Sequence, residues 1–551
     1  MSDAVARRRE TLAALATDPF DCLVVGGGIN GAGIARDAAM RGLRVALLER
    51  SDFASGTSSR SSKLIHGGLR YLQQGDVRLV RESLREREKL RRLAPHLVRP
   101  QDFFVPVYKG GPVGLVTLAA GLWAYDVLAG FFGVRRHRML GRQGALAMEP
   151  MLRQDGLRGA GVYCDYRTDD ARLVLETALA AASEGAVVLS YAEVAAFVKD
   201  GERITGARVV DRLTGTEVEV RAKTVVNSTG PWGDVVAAMD APAPRRLRLT
   251  KGVHIVVPAA RVGNRTAMVL NAVADGRVMF VIPWGKHALI GTTDTDHPGG
   301  PDVPPVVEAS DVAYLLDTVN YYFPVARLVP GDVVSAFAGL RPLIAPESGV
   351  GLDPSDVSRE EKVFTSPSGL ITLAGGKLTT YRLIATSVVD QVIAQLAAAG
   401  DRRTFGRSRT GEVPLPGGRR PPEEVAATAL SVDGHGLPPV VIGHLAGRYG
   451  SRLCDVLDVL ARDATLAAPI VPELPDRRAE VVAAVEQEWA LTLEDVLRRR
   501  TRIALEDGAN GTGAAGEVAA LMAGRLGWSA EEARTAVARY VEAAASARRW
   551  Q

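Results

Sequence analysis

A chain of 551 residues, 47% apolar and 24% charged, has material for two to four domains and a substantial core. That composition excludes a disordered protein, and a net charge of only +4 excludes a dedicated nucleic-acid binder, which needs a strongly basic face. Cys22, Cys164 and Cys454 lie far apart, so neither a disulfide framework nor a metal site is expected, and a reducing compartment suits them.

Residues 1–20 carry Arg7 to Arg9 but no long apolar run or small-residue cleavage site, and read as a helical extension without a targeting signal. Residues 21–49 then read as strand, tight turn, helix and second strand: "DCLVVGGG", "INGAGIARDAAMRGL" and "RVALLE". The stretch "SSRSSKLIHGGLRYL", residues 58–72, holds too many hydrogen-bond donors for a core and too much glycine for an ordinary amphipathic helix. Residues 77–93 form a helix with Val77, Val80, Leu84 and Leu93 near one stripe and pairs such as Glu88 with Arg92 on a solvated face. Residues 113–134 have the length of a membrane span, yet Asp126 interrupts them and "RRHR" follows. They read as a buried helix or hairpin, with an amphipathic patch dipping into one leaflet as the alternative.

Sheet dominates from 186 to 230 and in "HIVVP", "VMFVIPW" and "ALIGTTDT". After the Pro/Gly-rich "GEVPLPGGRRPPEE" the chain turns alanine-rich and helical, with 476–505 and 529–547 as its clearest helices. A boundary falls between Arg402 and Pro421, giving an extension over 1–20, interleaved domains over 21–410 and a helical domain over 411–551.

"VVGGGINGAG" contains Gly26-x-Gly28-x-x-Gly31. Gly26 permits the sharp turn, Gly28 lets pyrophosphate approach the backbone, and Gly31 lets the helix pack on the strand. The helix N-terminus aims amides and a positive dipole end at phosphate, and Glu49 ends the second strand where a ribose diol needs an acceptor. Two further strand-to-glycine turns, "AKTVVNSTGPW" and "LITLAGGKLTTYR", would bring more strand ends alongside the same cofactor. Three such turns favour FAD over NAD.

In order along the chain, "VVGGGINGAGIARDAAMRGLRVALLE", "GTSSRSSKLIHGGLRYL", "DARLVLE", "NSTGPW", "KGVHIVVP", "FVIPW", "IGTTD", "GLRPL" and "LAGGKLTTYR" resemble the FAD-dependent, respiratory glycerol-3-phosphate dehydrogenases from about residue 20 to 420. The resemblance implies an α/β fold: a Rossmann-like FAD-binding domain, a mixed-sheet substrate domain of the glucose-oxidase and amino-acid-oxidase kind, and a helical C-terminal domain. It implies oxidation of sn-glycerol 3-phosphate at C2 to dihydroxyacetone phosphate, hydride to FAD N5, and electrons passed to a membrane quinone. The apolar 113–134 segment and "RRHR" point to a cytoplasmic protein peripheral on the inner face of the cell membrane, and a homodimer stays open.

The implied cofactor contacts are Gly26, Gly28, Gly31, Glu49, Ser58, Ser59, Ser61, Ser62, Lys63, His66, Val194, Gly230, Gly375, Gly376, Lys377, Leu378 and Thr379. Over the flavin, His66, Arg70 and Tyr71 would face the substrate, with Arg341 and Arg359 as the arginines suited to a phosphate. A base must take the C2 hydroxyl proton, and either His66 or His254 fits. Lys377 is expected near the flavin pyrimidine edge or the substrate oxygen. Two alternatives share these motifs: a glycerol-3-phosphate oxidase using oxygen, and a non-catalytic FAD-binding subunit of a membrane complex.

Overall fold

The computed structural model describes residues 3–73, 75–130, 133–242, 244–345, 361–432 and 436–551. The apolar runs of the sequence become a parallel core. Strand Phe20–Val25 lies between Val45–Leu48 and Glu217–Asn227, parallel to both. Ile371–Ala374 extends this sheet beyond 217–227, and Val187–Leu189 extends it beyond 45–48. Such strands are covered on both faces, which is why they read as nearly unbroken apolar runs. Helix Ile29–Met40 packs against Asp170–Ser183 and Tyr381–Ala398, and a methyl at Gly33 would lie 2.8 Å from the Tyr381 ring. Three strands end on the same edge, at Val25, Asn227 and Ala374, and glycine turns follow each. In open α/β sheets ligands bind beyond these carboxyl ends.

A second, mixed sheet carries the other half of the site. Strand Leu247–Pro258 pairs antiparallel with both His287–Gly291 and Ser335–Ile344. The sheet continues through Val278–Trp284, Ala267–Asn271, Arg99–Tyr108 and Leu157–Arg167 to the two-residue strand Leu64–Ile65. That last strand is the middle of the donor-rich stretch, so the sheet's edge hands residues 58–72 to the cofactor side.

The N-terminal extension forms helix Asp3–Leu15, as expected. Several expectations need correction. Val77 is exposed, because helix Val77–Leu93 starts with the Asp76 carboxylate accepting from the Leu79 amide and its buried stripe begins at Leu79. Its charge run is not only a solvated face. Glu86 is buried and receives Arg382 (2.7 Å), Arg87 is buried on Asp165 (2.6 Å), and Glu88 accepts from Arg91 and the Tyr166 hydroxyl instead of Arg92. Helix Leu115–Leu128 buries Leu118, Leu122 and Tyr125 but leaves Val116 84%, Trp123 56% and Val127 56% exposed, so it is half-buried and not enclosed. Among the described residues no helix is long and apolar enough to cross a membrane.

From Pro422–Leu430 to Ala530–Ser546 the regular structure is helical. The expected helix over 476–505 is broken. Arg478–Gln487 stops where Trp489 takes a left-handed φ of 57°, and a wide turn over 495–500 follows. The break lets buried charges reach the FAD-binding half. Glu488 accepts from Arg172 (2.6 and 2.9 Å) and Arg452 (2.9 Å). One group of metal-ligand types, His444, Asp476 and Glu480, lies in this domain, but Arg448 donates to both carboxylates (2.6 and 2.5 Å) and supplies the charge an ion would.

Burial raises the Glu488 pKa, yet Arg172 and Arg452 outweigh burial and bring it from 4.5 down to about 2. A depressed carboxylate stabilises the fold above its unfolded value and ceases to do so as pH falls through its folded value. Between pH 4.5 and 2 this group should therefore remove about 3 kcal/mol of stability. Denaturant titrations over that window test this: in Glu488→Gln the contribution should be gone, and an unchanged acid slope would refute it.

Candidate active site

The carboxyl edge of the parallel sheet, the mixed sheet, the N-terminal helix and the C-terminal domain together line one large open cavity of about 2160 Å³. This exceeds the roughly 300–1,000 Å³ of a drug-sized pocket and leaves room for a dinucleotide with a substrate beside it.

At one end the backbone is shaped for a close phosphate. Gly26 sits at φ 105°, and a methyl there would lie 2.8 Å from the Ser228 carbonyl oxygen. A methyl on Gly31 would sit 1.8 Å from the Gly26 carbonyl, so only glycine lets the helix seat against the strand end. The Ile29 amide, at the start of helix Ile29–Met40, donates to Ser58 Oγ at 3.1 Å. Having accepted there, the Ser58 hydroxyl keeps its own proton to donate, and the helix dipole adds positive potential. Glu49 accepts from the Gly27 amide (2.7 Å) and the Ser51 amide (2.8 Å). Burial raises its pKa, against those two amides, and each oxygen retains acceptor capacity for a ribose hydroxyl. Asn30, which sequence reasoning passed over, presents a buried Oδ1 without a partner to the same wall. The glycine cradle, the acceptor pair and this orphaned oxygen fit FAD.

At the other end three motifs converge through glycine. Gly252 and His254 share one face of strand Leu247–Pro258, since alternate residues point the same way. The Arg341 guanidinium lies over Gly252, where a methyl would come within 2.3 Å of it. Arg341 donates to Asp294 Oδ1 (3.0 Å), the Thr293 carbonyl (3.2 Å) and Thr292 Oγ1 (2.8 Å), so the turn after "IG" fixes its fork. Gly291 is the cross-strand partner of His254, and a methyl there would lie 2.2 Å from the imidazole. His254 stacks on Phe337 (5.0 Å between centroids), meets Ser62 Oγ through Nε2 at 2.9 Å, and leaves Nδ1 without a partner. Burial, then the charges of Arg341 and Lys63, hold its pKa well below 6.5, so it is neutral at physiological pH.

Between the two ends, Lys377 Nζ donates to Ser83 Oγ (3.1 Å) and lies 4.7 Å from the Tyr71 ring centre. Thr379 Oγ1 bonds both the amide and the carbonyl of His66 (3.2 Å each), tying the third glycine turn to the donor-rich stretch. Val194, Gly230, Gly375, Gly376 and Leu378 also line the cavity. Arg60, within that stretch, lines it too and donates to the Ala338 carbonyl (3.2 Å), and burial lowers its pKa to about 10.

Some expected contacts point elsewhere. Lys63, at φ 57°, turns its ammonium inward onto Asp170 (2.6 Å) and the Ser59 carbonyl (3.2 Å), and neither Lys63 nor Ser59 lines the large cavity. Ser61 reaches the cavity, but its hydroxyl donates to Asp170 at 2.7 Å. Asp170 thus engages the Lys63 ammonium and the Ser61 hydroxyl, while Ser59 gives that ammonium only its carbonyl. Arg70 belongs to helix Leu69–Gln73, and its side chain, like the whole of Arg359, lies outside the described residues.

The fold and cavity together define an FAD-dependent oxidoreductase with a helical C-terminal domain. The model of the FAD dependent oxidoreductase family matches residues 21–382, and that of the C-terminal domain of alpha-glycerophosphate oxidase matches 408–533. Glycerol-3-phosphate dehydrogenase 2 of Mycobacterium tuberculosis is 42% identical over 539 residues, spanning 96% of this chain and 88% of its own. The aerobic glycerol-3-phosphate dehydrogenase of Staphylococcus haemolyticus is 39% identical over 503 residues, spanning 88% and 87%. The solved glycerol-3-phosphate dehydrogenase of Bacillus halodurans, complexed with FAD, is 32% identical with a TM-score of 0.81 over 98% of this chain and 97% of that one. The chain belongs to the FAD-dependent glycerol-3-phosphate dehydrogenase family.

Proposed function

We propose that the protein oxidises sn-glycerol 3-phosphate at C2 to dihydroxyacetone phosphate and passes the electrons to a membrane quinone. The observation that carries this reading is a pre-oriented arginine and a neutral histidine side by side on the cavity that also holds the dinucleotide cradle. FAD, when bound, supplies the two-electron acceptor. Glu49, the Ser58 hydroxyl and the Gly28 amide would hold its ribose and phosphates, with Val194, Gly230 and residues 375–379 along its length.

Arg341 grips the substrate phosphate, a near-dianion that suits a planar fork of donors. His254 accepts the C2 hydroxyl proton. Burial and then the Arg341 charge depress its basicity, and a phosphate on Arg341 offsets that charge, so the imidazole gains basicity as substrate arrives. Lys377 and Tyr71 line the same cavity, and Lys377 adds positive charge where negative charge collects.

The acceptor reading rests on helix Leu115–Leu128. Its exposed Val116, Trp123 and Val127, together with Val134, are followed by Arg135, Arg136 and Arg138, an apolar face rimmed by charge that suits anionic headgroups. Val113 and Leu118, in and beside the same helix, line the cavity, which gives a lipid-dissolved acceptor a short path to the site. The protein would then be peripheral on the cytoplasmic face of the membrane.

One anaerobic experiment tests both parts. Glycerol 3-phosphate should bleach the bound flavin, and a quinone dissolved in anionic vesicles should restore its colour faster than air-saturated buffer does. A flavin that glycerol 3-phosphate never bleaches would defeat the substrate assignment. Rapid reoxidation by oxygen with none by quinone would make the protein an oxidase.

A further inference from the structure

Four residues after the dinucleotide strand, Glu49 to Asp52, carry cofactor chemistry at one end and a domain anchor at the other. Glu49 holds the Gly27 and Ser51 amides at its carboxylate. Three residues on, the fully buried Asp52 receives Arg499 Nε (2.5 Å) and Arg500 through two nitrogens (2.7 and 2.8 Å), all from the C-terminal domain. Burial raises the Asp52 pKa, and the two arginines outweigh it, so the carboxylate stays charged.

The segment facing this turn is locked from both ends of the chain. Glu49 and Ser51 pair with residues 189–192: the Glu49 amide donates to the Leu189 carbonyl (3.0 Å), Ala192 to Glu49 (2.8 Å) and Tyr191 to Ser51 (2.9 Å). Tyr191 sits at φ 55°, a left-handed backbone that a bulky residue adopts only when its surroundings impose it. Its hydroxyl donates to Asp495 (2.8 Å) and meets Thr492 (3.2 Å) in the C-terminal domain. Arg8 of the N-terminal helix donates to the carbonyls of Ser190 (2.7 Å) and Tyr191 (3.4 Å) and to Asp211 (2.7 Å). Neighbouring Arg7 reaches the Glu486 carbonyl (2.6 Å), and Arg9 lines the cavity.

We propose that the N-terminal helix and the C-terminal domain together act as a cofactor-retention clamp, with Arg8, Tyr191 and Asp52 as positioning residues that hold the Glu49 turn in its ribose-binding form. Because one segment serves both events, FAD binding and C-terminal docking are thermodynamically linked, and each strengthens the other by the same factor.

The inference rests on FAD occupying the Gly26–Glu49 turn, and the experiment separates the two. FAD dissociation from the full-length holoprotein is followed by the rise in free-flavin fluorescence, and hydrogen exchange over residues 488–502 is compared with and without FAD. Arg8→Ala and Tyr191→Phe should each speed FAD release about tenfold, the scale of losing a hydrogen bond to a charged group. FAD should slow exchange over 488–502 in the parent protein, and this slowing should shrink in both variants. Arg8→Lys, which keeps the charge, should recover part of the retention. Asp52→Asn should be stronger still; if it does not fold, the two milder variants decide. Release rates within twofold of the parent in both, with no effect of FAD on exchange, would overturn the clamp while Glu49→Ala still loses flavin. Unchanged retention in Glu49→Ala would instead overturn the placement of the ribose.

Discussion

Arg341→Ala should lower kcat/KM for sn-glycerol 3-phosphate by about 10²–10³-fold while leaving flavin content unchanged. The guanidinium is oriented in advance by Asp294, Thr292 and the Thr293 carbonyl, so little ordering cost falls on substrate binding. Truncating one partner of a buried charge pair costs about 2–5 kcal/mol, and each 1.36 kcal/mol is tenfold in rate. Arg341→Lys should recover only part of the loss, because a point charge cannot present two parallel donors. Steady-state kinetics with flavin content measured alongside decide the matter: normal turnover in Arg341→Ala would place the phosphate elsewhere.

The second large effect concerns the base. His254→Asn should slow anaerobic flavin bleaching by about 10²–10⁴-fold, the usual worth of a positioned general base, and His66→Asn by much less. The reverse order would transfer the role to His66. The pH profile is an independent check. A base works deprotonated, and burial with Arg341 and Lys63 keeps His254 deprotonated far into acid. Divided by the fraction of substrate present as the phosphate dianion, whose second pKa lies at about 6, kcat/KM should therefore hold level as pH falls through 6.5 and decline only well below it. A decline centred on 6.5 that survives this division would contradict the assignment.

The parallel core was readable because buried parallel strands leave near-continuous apolar runs, and the glycine turns because each needs a shape that side chains forbid. Gly252 and Gly291 carried no such local sign. Each makes room for a side chain on a neighbouring strand, and that pairing is set by register across the sheet. The same limit explains Lys63. Its neighbours in sequence suggested the cofactor, but a left-handed backbone turns it toward Asp170, 107 residues away. The break at Trp489 was hidden for a related reason. Alanine-rich periodicity over 476–505 favours one helix, and the buried charges that reward a break come from residues such as Arg172, more than 300 positions earlier.

The anchoring of Asp52 also bears on how the molecule is made. Its guanidinium partners are 447 and 448 residues downstream, so the carboxylate stays uncompensated until almost the entire polypeptide has left the ribosome. A nascent chain can fold its first strands and glycine turn early, but the ribose-side loop gains its buried counter-charges last. On the proposed clamp, flavin loading follows completed synthesis, since a chain ending before Arg499 lacks both counter-charges of Asp52.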